Sequence, residues 1–464
     1  MTAEKPASSP PPTIALSASP TGALSIPRGV ALYVGALLGP GLLMLPGLAS
    51  ELAGPASILA WAGLLAVSGL FAVVFTALGT RLPGGGGVIA YAAAGLGRRA
   101  GRAVGWCFLT AVVLGAPVVC LIGAGYVTAL TGAGRGTTAL VAALLLSGVT
   151  ALTLAGARIG TAVQMALIGL LLAVIVVAVA GSAPSARAAH WTPFAPHGWT
   201  AVGGAASVLM LSFVGWEAVA PLTRRLPNPQ RTLPRITAAS FAVTAVIYLA
   251  LAATVIAVLG PRANGPVPVA DLLRVAVGAA GPAIAAGAAA LLTLATVNAY
   301  LTGAAALAAH LRSESRNGPE PERKPESESE SELASANERE PARSARAFFL
   351  CVAAAGIVEL TAEAFGALDA ARMVTLPTSL FLVVYVGSTA SATRVLRGRL
   401  RVVAALACAA SAVVLAFSGA AIIVAVLVAG AGLLAPRRRA GAARPAIALP
   451  APRICVPATE ARRP

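Results

Sequence analysis

The feature that most constrains this chain is a succession of long apolar runs that contain almost no charged side chains. Of its 464 residues, 58% are hydrophobic and 11% are charged, whereas a soluble protein carries roughly 25% charged residues. Each run is long enough to cross ~30 Å of hydrocarbon as a helix. The sequence therefore predicts an all-α polytopic membrane protein, with one membrane domain and polar tails.

We predict about twelve membrane-spanning helices from these runs. The last two come from one nearly continuous apolar stretch, residues 402–435. As one helix, at ~1.5 Å per residue, it would be too long for a bilayer, so we place a turn at Ser418-Gly419. The predicted spans are residues 30–49, 57–78, 104–128, 137–154, 161–180, 202–222, 238–259, 282–309, 347–365, 373–390, 402–417 and 420–435.

The positions of the basic residues indicate the orientation. With the N-terminus inside, 29 of the 34 Lys and Arg residues fall on cytoplasmic segments and 5 fall outside, as the positive-inside rule requires. An odd number of spans would place Arg437, Arg438 and Arg439 outside. Topology thus explains the net charge of +17, and we expect no nucleic-acid partner. We predict a multi-pass protein of the plasma membrane with both termini in the cytoplasm.

The chain is expected to form one membrane domain, residues 28–435, between cytoplasmic tails at residues 1–27 and 436–464. The first tail is predicted to be disordered, and it lacks the apolar core of a secretory signal. The Ser/Glu-rich stretch 313–344 has too little apolar surface to fold and is predicted to be a disordered cytoplasmic loop. The five cysteines show no close pairing, so we expect no disulfide framework, metal site or cofactor.

Two of the predicted spans are interrupted by residues that disfavour a helix. The first contains Gly39-Pro40-Gly41, and the sixth contains Gly215 two residues before Glu217. Glycine loosens a helix and proline removes a hydrogen-bond donor. Interruptions at matching positions of two halves predict a transport site between inverted repeats. For the first break alone, a simple proline kink is the alternative explanation.

Each interrupted helix would present N–H groups on one side of the break and carbonyl groups on the other. The first favour an anion and the second an ammonium group, so together they suit an amino acid zwitterion. Glu217 lies deep in span six, where a carboxylate is a functional candidate by default. It could carry a coupling proton, or it could stay neutral and hydrogen-bond the unwound backbone.

Other polar residues of the spans are given more ordinary roles. Glu359, Glu363 and Asp369 lie towards the outer end of span nine and its loop, and we expect them to be solvated or to line a vestibule. Asn298 makes span eight locally polar. Hydrogen bonding between helices is the default explanation for Asn298, and lining of the cavity is the alternative.

Four stretches, in order, resemble the amino acid–polyamine–organocation permeases. They are GALLGPGLLMLP at 35–46, LPGGGGVIAYAAAGLG at 82–97, FVGWEAVAPLTRRLPNPQRTLP at 213–234 and VNAYL at 297–301. The resemblance implies a LeuT-type fold of two inverted five-helix repeats, here at about 28–181 and 200–390, with extra helices at 402–435. Within that superfamily, GWCFL at 105–109, FVGWEA and VNAYL are most similar to bacterial exporters of methionine and branched-chain amino acids.

The resemblance also implies which residues meet the substrate. The carboxylate would lie at the first break and the ammonium group at the carbonyls of the second, with Glu217 as the proton-linked position. Two positions depart from the family pattern. Pro40 offers neither N–H nor hydroxyl, so Gly41 and Leu42 must supply the hydrogen-bond donors. Leu211 stands where some relatives have an aromatic gate residue, so Phe213 or Trp216 would take the role of the gate. The expected substrate-binding residues are Gly35, Gly39, Pro40, Gly41, Leu42, Ser212, Phe213, Val214, Gly215 and Trp216.

The function expected is secondary transport, with efflux of neutral apolar amino acids by proton-coupled or exchange alternating access. An uptake permease for amino acids or polyamines is the alternative within transport, although a polyamine would require more acidic residues than Glu217. An intramembrane enzyme or sensor is the alternative of another class. The spans lack a buried pair of Asp or His residues, so we expect no catalytic residue, and the sequence gives no indication of oligomeric state.

Overall fold

The computed structural model describes residues 24–82, 87–156, 160–218, 223, 226, 228–316 and 330–434. Every regular element within these ranges is a helix. Ten helical segments among them are long and apolar enough to cross a membrane, and two shorter apolar helices, Ile26–Leu37 and Ala421–Leu434, accompany them. The described part of each predicted span is helical apart from the breaks in spans one and six, and the chain is an all-α polytopic membrane protein.

The α-helices of the described residues are numbered in chain order. The first half contains α1 (Ile26–Leu37), α2 (Gly41–Ala53), α3 (Ser57–Arg81), α4 (Val88–Leu96), α5 (Arg98–Thr128), α6 (Arg135–Leu154) and α7 (Thr161–Ser182). The second half contains α8 (Thr200–Leu209), α9 (Pro229–Thr254), α10 (Pro268–Val277), α11 (Gly281–Arg316), α12 (Glu330–Ala364) and α13 (Ala370–Val395). The last two are α14 (Arg399–Ala416) and α15 (Ala421–Leu434).

The predicted turn between the last two spans is confirmed. Residues 417–420 form a turn between α14 and α15, and Gly419 within it has φ +56°. A left-handed backbone is available to glycine at little cost. One glycine therefore converts a single overlong apolar run into two short helices.

Two helix boundaries differ from the predictions, and two helices were not predicted. Helix α12 begins at Glu330, so part of the stretch 313–344 that we expected to be a disordered loop is helical. Helix α1 begins at Ile26, inside the predicted tail. Helices α4 and α10 lie in loops between spans and were not predicted. Most of the predicted tails and the loop glycines at 84–86 lie outside the described residues.

The packing of the helices has the symmetry of two inverted repeats. Helix α3 packs on α9 and α5 packs on α11, and these are the second and third spans of each half. Helix α4 follows the second span and packs on the tenth, α13, while α10 follows the seventh span and packs on the fifth, α7. This is the LeuT-type 5+5 arrangement that the resemblance implied, with α14 and α15 added against α3, α5 and α13.

Burial distinguishes the centre of the protein from its periphery. Trp61, Trp216 and Tyr248 are among the largest fully buried side chains. Leu144, Val246 and Leu427 are 65%, 69% and 67% exposed, respectively. Apolar side chains at this exposure, on helices whose backbone groups are satisfied internally, suit contact with lipid.

Candidate functional site between two broken helices

The first break separates α1 from α2 at residues 38–40. The Gly39 N–H donates to the Leu37 carbonyl at 3.1 Å, and the Leu42 N–H donates to the Gly39 carbonyl at 3.1 Å. Pro40 is the N-cap of α2, a position where its missing N–H removes no helical bond. The Leu42 N–H is already hydrogen-bonded to Gly39. Of the two backbone donors expected for the substrate, Gly41 therefore remains. A Cβ at Gly39 would have no neighbour within 4 Å.

The second break follows α8. A 3₁₀ turn covers Met210–Phe213, Val214 is extended with φ −75° and ψ 138°, and Gly215 has φ +138°. A short 3₁₀ turn resumes at Trp216–Ala218. Side chains with a Cβ disfavour positive φ, so Gly215 permits this reversal of the backbone.

The two breaks are in contact with each other. A Cβ at Gly215 would lie 2.5 Å from the Ala36 carbonyl oxygen, and one at Gly41 would lie 3.6 Å from the Ser212 hydroxyl oxygen. The Tyr248 hydroxyl lies 2.5 Å from the Ser212 carbonyl and 2.9 Å from the Leu37 carbonyl. Residues that are far apart in the sequence therefore form one polar centre among apolar helices.

Several polar groups of this centre remain available. The Ser212 hydroxyl is buried and has no hydrogen-bond partner among the described residues. The carbonyls of Leu38 and Val214 likewise accept no hydrogen bond from that part of the chain. A buried polar group without a partner carries a cost that a bound ligand can remove. A donor beside free acceptors matches the two ends of an amino acid zwitterion.

Glu217 caps the second break. The Gly215 N–H donates to Oε2 of Glu217 at 3.0 Å, and the Tyr385 hydroxyl donates to the same oxygen at 2.7 Å. The Tyr385 oxygen in turn accepts from the N–H groups of Gly215 and Trp216, at 3.1 and 3.3 Å. Glu217 thus hydrogen-bonds the unwound backbone, as one of its two expected roles requires, and its half-buried position keeps it within reach of the site.

The two aromatic gate candidates are packed into the core. Trp216 is 0% exposed and donates from Nε1 to the Ser68 hydroxyl at 2.8 Å. The ring centroid of Phe213 lies 5.1 Å from that of Tyr248, and Phe213 is 1% exposed. Leu211 remains partly exposed. Phe213 and Trp216 therefore support the shape of the break in this conformation.

Two predicted site residues lie away from the contact between the breaks. A Cβ at Gly35 would overlap the Ile168 side chain, so Gly35 allows α1 to approach α7 closely. Asn298 donates from its amide to the Thr153 hydroxyl oxygen at 3.0 Å, which joins α11 to α6. This bond is the helix–helix contact that was the default expectation for Asn298, and lining of the cavity stays a prediction.

The second half of span one is also held in place. Tyr126 on α5 donates to the Leu43 carbonyl of α2 at 2.6 Å, and its oxygen accepts from the Val269 N–H of α10 at 3.3 Å. A Cβ at Gly47 would overlap the Gly265 carbonyl oxygen. These contacts cover the α2 side of the breaks with the loop that carries α10.

The tyrosines that join these elements were not predicted. Tyr33 on α1 donates to the Trp216 carbonyl at 3.0 Å, across the two breaks. Tyr248 and Tyr385 have the contacts given above. A tyrosine within an apolar span must find a partner for its hydroxyl, and this signal could have marked all three residues as belonging to a polar centre. In the described chain, no group of three or more His, Cys, Asp or Glu side chains could hold a metal ion.

Comparison with known proteins identifies the family. A family model described as amino acid permease matches residues 24–450. This chain belongs to the amino acid permease family. An uncharacterized amino acid permease, YecA of Bacillus subtilis, is 29% identical over 422 residues, which are 89% of this chain and 95% of YecA. This permease is therefore a multi-pass membrane transporter of amino acids and not an enzyme, and its resemblance to the amino acid–polyamine–organocation superfamily is confirmed.

Two further relatives match about half of the permease. The L-methionine/branched-chain amino acid exporter YjeH of Escherichia coli is 31% identical over 229 residues, which are 48% of this chain and 54% of YjeH. The branched-chain amino acid permease BcaP of Bacillus subtilis is 25% identical over 246 residues, which are 49% of this chain and 53% of BcaP.

Proposed function

We propose that this permease exports neutral apolar amino acids, such as methionine, leucine, isoleucine and valine, across the plasma membrane. The observation that carries the proposal is the contact between the two breaks, where the buried Ser212 hydroxyl, beside Gly41, has no hydrogen-bond partner among the residues that the structure describes. The substrate carboxylate would meet Gly41 and Ser212, and its ammonium group would meet the carbonyls of Leu38 and Val214. The similarity to YjeH supports this substrate class.

The composition of the centre favours a neutral, apolar substrate. Leu42, Phe213 and Trp216 are buried around the breaks, so an apolar side chain would find apolar surface there. Glu217 is already engaged by Gly215 and Tyr385, and the described residues of the two breaks offer no other carboxylate for a second cationic group. This disfavours polyamines.

Alternating access would arise from the relative motion of two groups of spans. Helices α1, α2, α3, α8 and α9 contribute spans one, two, six and seven, and they pack on one another. Helices α5, α6, α11 and α12 form a second mutually packed group. Rocking of the first group against the second would expose the breaks to each side in turn, as in other transporters built on inverted repeats.

Coupling to protons or exchange is proposed for the driving force. Glu217 hydrogen-bonds the break through one oxygen, so gain or loss of its proton would change the strength of these bonds. We place both termini in the cytoplasm on the 29-to-5 asymmetry of basic residues. Uptake is the second candidate, favoured by the similarity to BcaP.

The test is counterflow in proteoliposomes. Purified permease is loaded with one amino acid at a time, and uptake of labelled leucine or methionine is followed with and without a pH gradient. Exchange restricted to apolar amino acids supports the proposal, while exchange restricted to basic amino acids or polyamines overturns it. Export against import is then decided by which direction of pH gradient drives net movement in vesicles of known orientation.

Matched variants locate the site. Ser212→Ala is expected to weaken substrate affinity by roughly 5- to 10-fold, the worth of one hydrogen bond. Ser207→Ala is the control, since Ser207 is also buried in span six but hydrogen-bonds its own helix at Gly204. Glu217→Gln is expected to exchange substrate yet lose its response to the pH gradient. Equal substrate affinities in the two serine variants would show that Ser212 does not bind the substrate.

A further inference from the structure

A buried carboxylate outside the breaks has no assigned task. Glu359 on α12 is 4% exposed, and neither of its oxygens has a hydrogen-bond partner among the described residues. Our expectation that Glu359 is solvated or lines a vestibule is therefore wrong. An ionised carboxylate buried without a partner is among the most costly groups that a protein can hold.

Glu359 lies where α12 packs on its neighbours. Helix α12 contacts α5, α6 and α11. One turn before Glu359, a Cβ at Gly356 would lie 2.5 Å from Leu146 on α6 and 3.8 Å from Pro117 on α5. Along the same end of these helices, the titratable groups are the buried Cys120 and Tyr126 on α5 and Arg135 at the start of α6, and the Tyr126 hydroxyl is engaged by Leu43 and Val269. Residues 281–299 of α11 contain none. No cation of the described chain forms an ion pair with Glu359.

A line of charged groups connects this position with the surface. Glu363, one turn further along α12, is partly exposed, and Arg135 and Asp369 act on it electrostatically. Arg135 and Asp369 are both exposed. The hydroxyls of Thr128 and Thr138 are 2.8 Å apart at the same end of α5 and α6. Within one turn of α12, the surroundings thus change from the exposed charged groups near Glu363 to the buried carboxyl of Glu359.

We propose that Glu359 is a proton-binding site within the packing of α5, α6 and α12, filled from the Asp369 end past Glu363. With its proton bound, the side chain is neutral and the three helices pack without water. Without the proton, the charge must draw water between the helices, because no cation in the described part of the chain stands beside it, and α12 loosens from α5 and α6. Its effect on transport rests on the proposed function and orientation, which place the Asp369 end outside.

Thermal unfolding of the purified permease across acidic to alkaline pH tests the proton site without transport. A protein that binds more protons when folded loses stability as pH rises. The wild type is therefore expected to lose stability at alkaline pH, Glu359→Gln to lose much less, and Glu51→Gln, which changes an exposed carboxylate on α2, to follow the wild type. Parallel curves for wild type and Glu359→Gln would overturn the proposal. Should the glutamine variant not fold, Glu359→Met replaces it, since an apolar side chain suits a site without hydrogen-bond partners.

Counterflow at equal pH on both sides tests the link to transport. Wild-type exchange is expected to slow at alkaline pH, with Glu359→Gln keeping its acidic rate and Glu51→Gln behaving as the wild type. An unchanged pH dependence in Glu359→Gln would overturn this link. Absence of exchange with any amino acid would instead refute the proposed function, and the unfolding curves would still decide the proton site.

Discussion

Replacing Gly215 by alanine should separate the two breaks. Gly215 has φ +138°, where a residue with a Cβ is strained by about 1–3 kcal/mol. The added Cβ would lie 2.5 Å from the Ala36 carbonyl oxygen, so the two segments must part by about 1 Å to reach an ordinary contact. At about 1.4 kcal/mol per tenfold, the strain alone corresponds to a loss of roughly 5- to 140-fold in the population with touching breaks.

The assay is equilibrium exchange of labelled leucine, with thermal unfolding measured on the same preparation. Gly204→Ala is the matched control, because Gly204 lies in α8 of the same span and a Cβ there meets nothing within 4 Å. Alanine is also the better helix former, by about 1 kcal/mol, so this control should be at least as stable as the wild type. Equal exchange rates in Gly215→Ala and Gly204→Ala would show that the site does not depend on contact between the two breaks.

Two other contacts give predictions of the same kind. Tyr248→Phe keeps the ring but removes the hydroxyl that contacts the Ser212 and Leu37 carbonyls. The variant should therefore be less stable by about 1–3 kcal/mol and should exchange substrate more slowly. A thermal unfolding curve equal to that of the wild type would contradict this. Gly47→Ala would push a Cβ into the Gly265 carbonyl oxygen and should loosen the loop that carries α10, measured as faster proteolysis of that loop. Gly63→Ala, where a Cβ meets nothing within 4 Å, is the control, and equal cleavage of both variants would refute the argument.

The positions of the spans could be predicted because the bilayer imposes a length on each apolar run. The breaks could be predicted because glycine and proline disturb a helix wherever it packs. Helices α4 and α10 were missed because they have 9 and 10 residues, too few to produce a distinct periodic signal. Short helices of this kind depend on the spans they rest against, and that information is not local in the sequence.

The candidate site, like the fold, could be predicted only in part. Gly39, Gly41, Ser212 and Gly215 were predicted, and the structure brings their segments together. The role of Tyr248 could not be predicted, because its hydroxyl reaches two carbonyls that meet only after both halves have folded. Burial of Glu359 depends in the same way on which face of α12 turns towards α5 and α6.

The reciprocal docking of the two loop helices has a consequence for biosynthesis. Helix α4 belongs to the first repeat but rests on α13, the last span of the second, and α10 rests on α7, the last span of the first. Each half therefore leaves the translocon with a docking surface uncovered until its counterpart has been inserted. The halves should mature together, and a truncated transcript that encodes one repeat should yield a product for quality-control proteases, whereas two co-expressed fragments could still assemble.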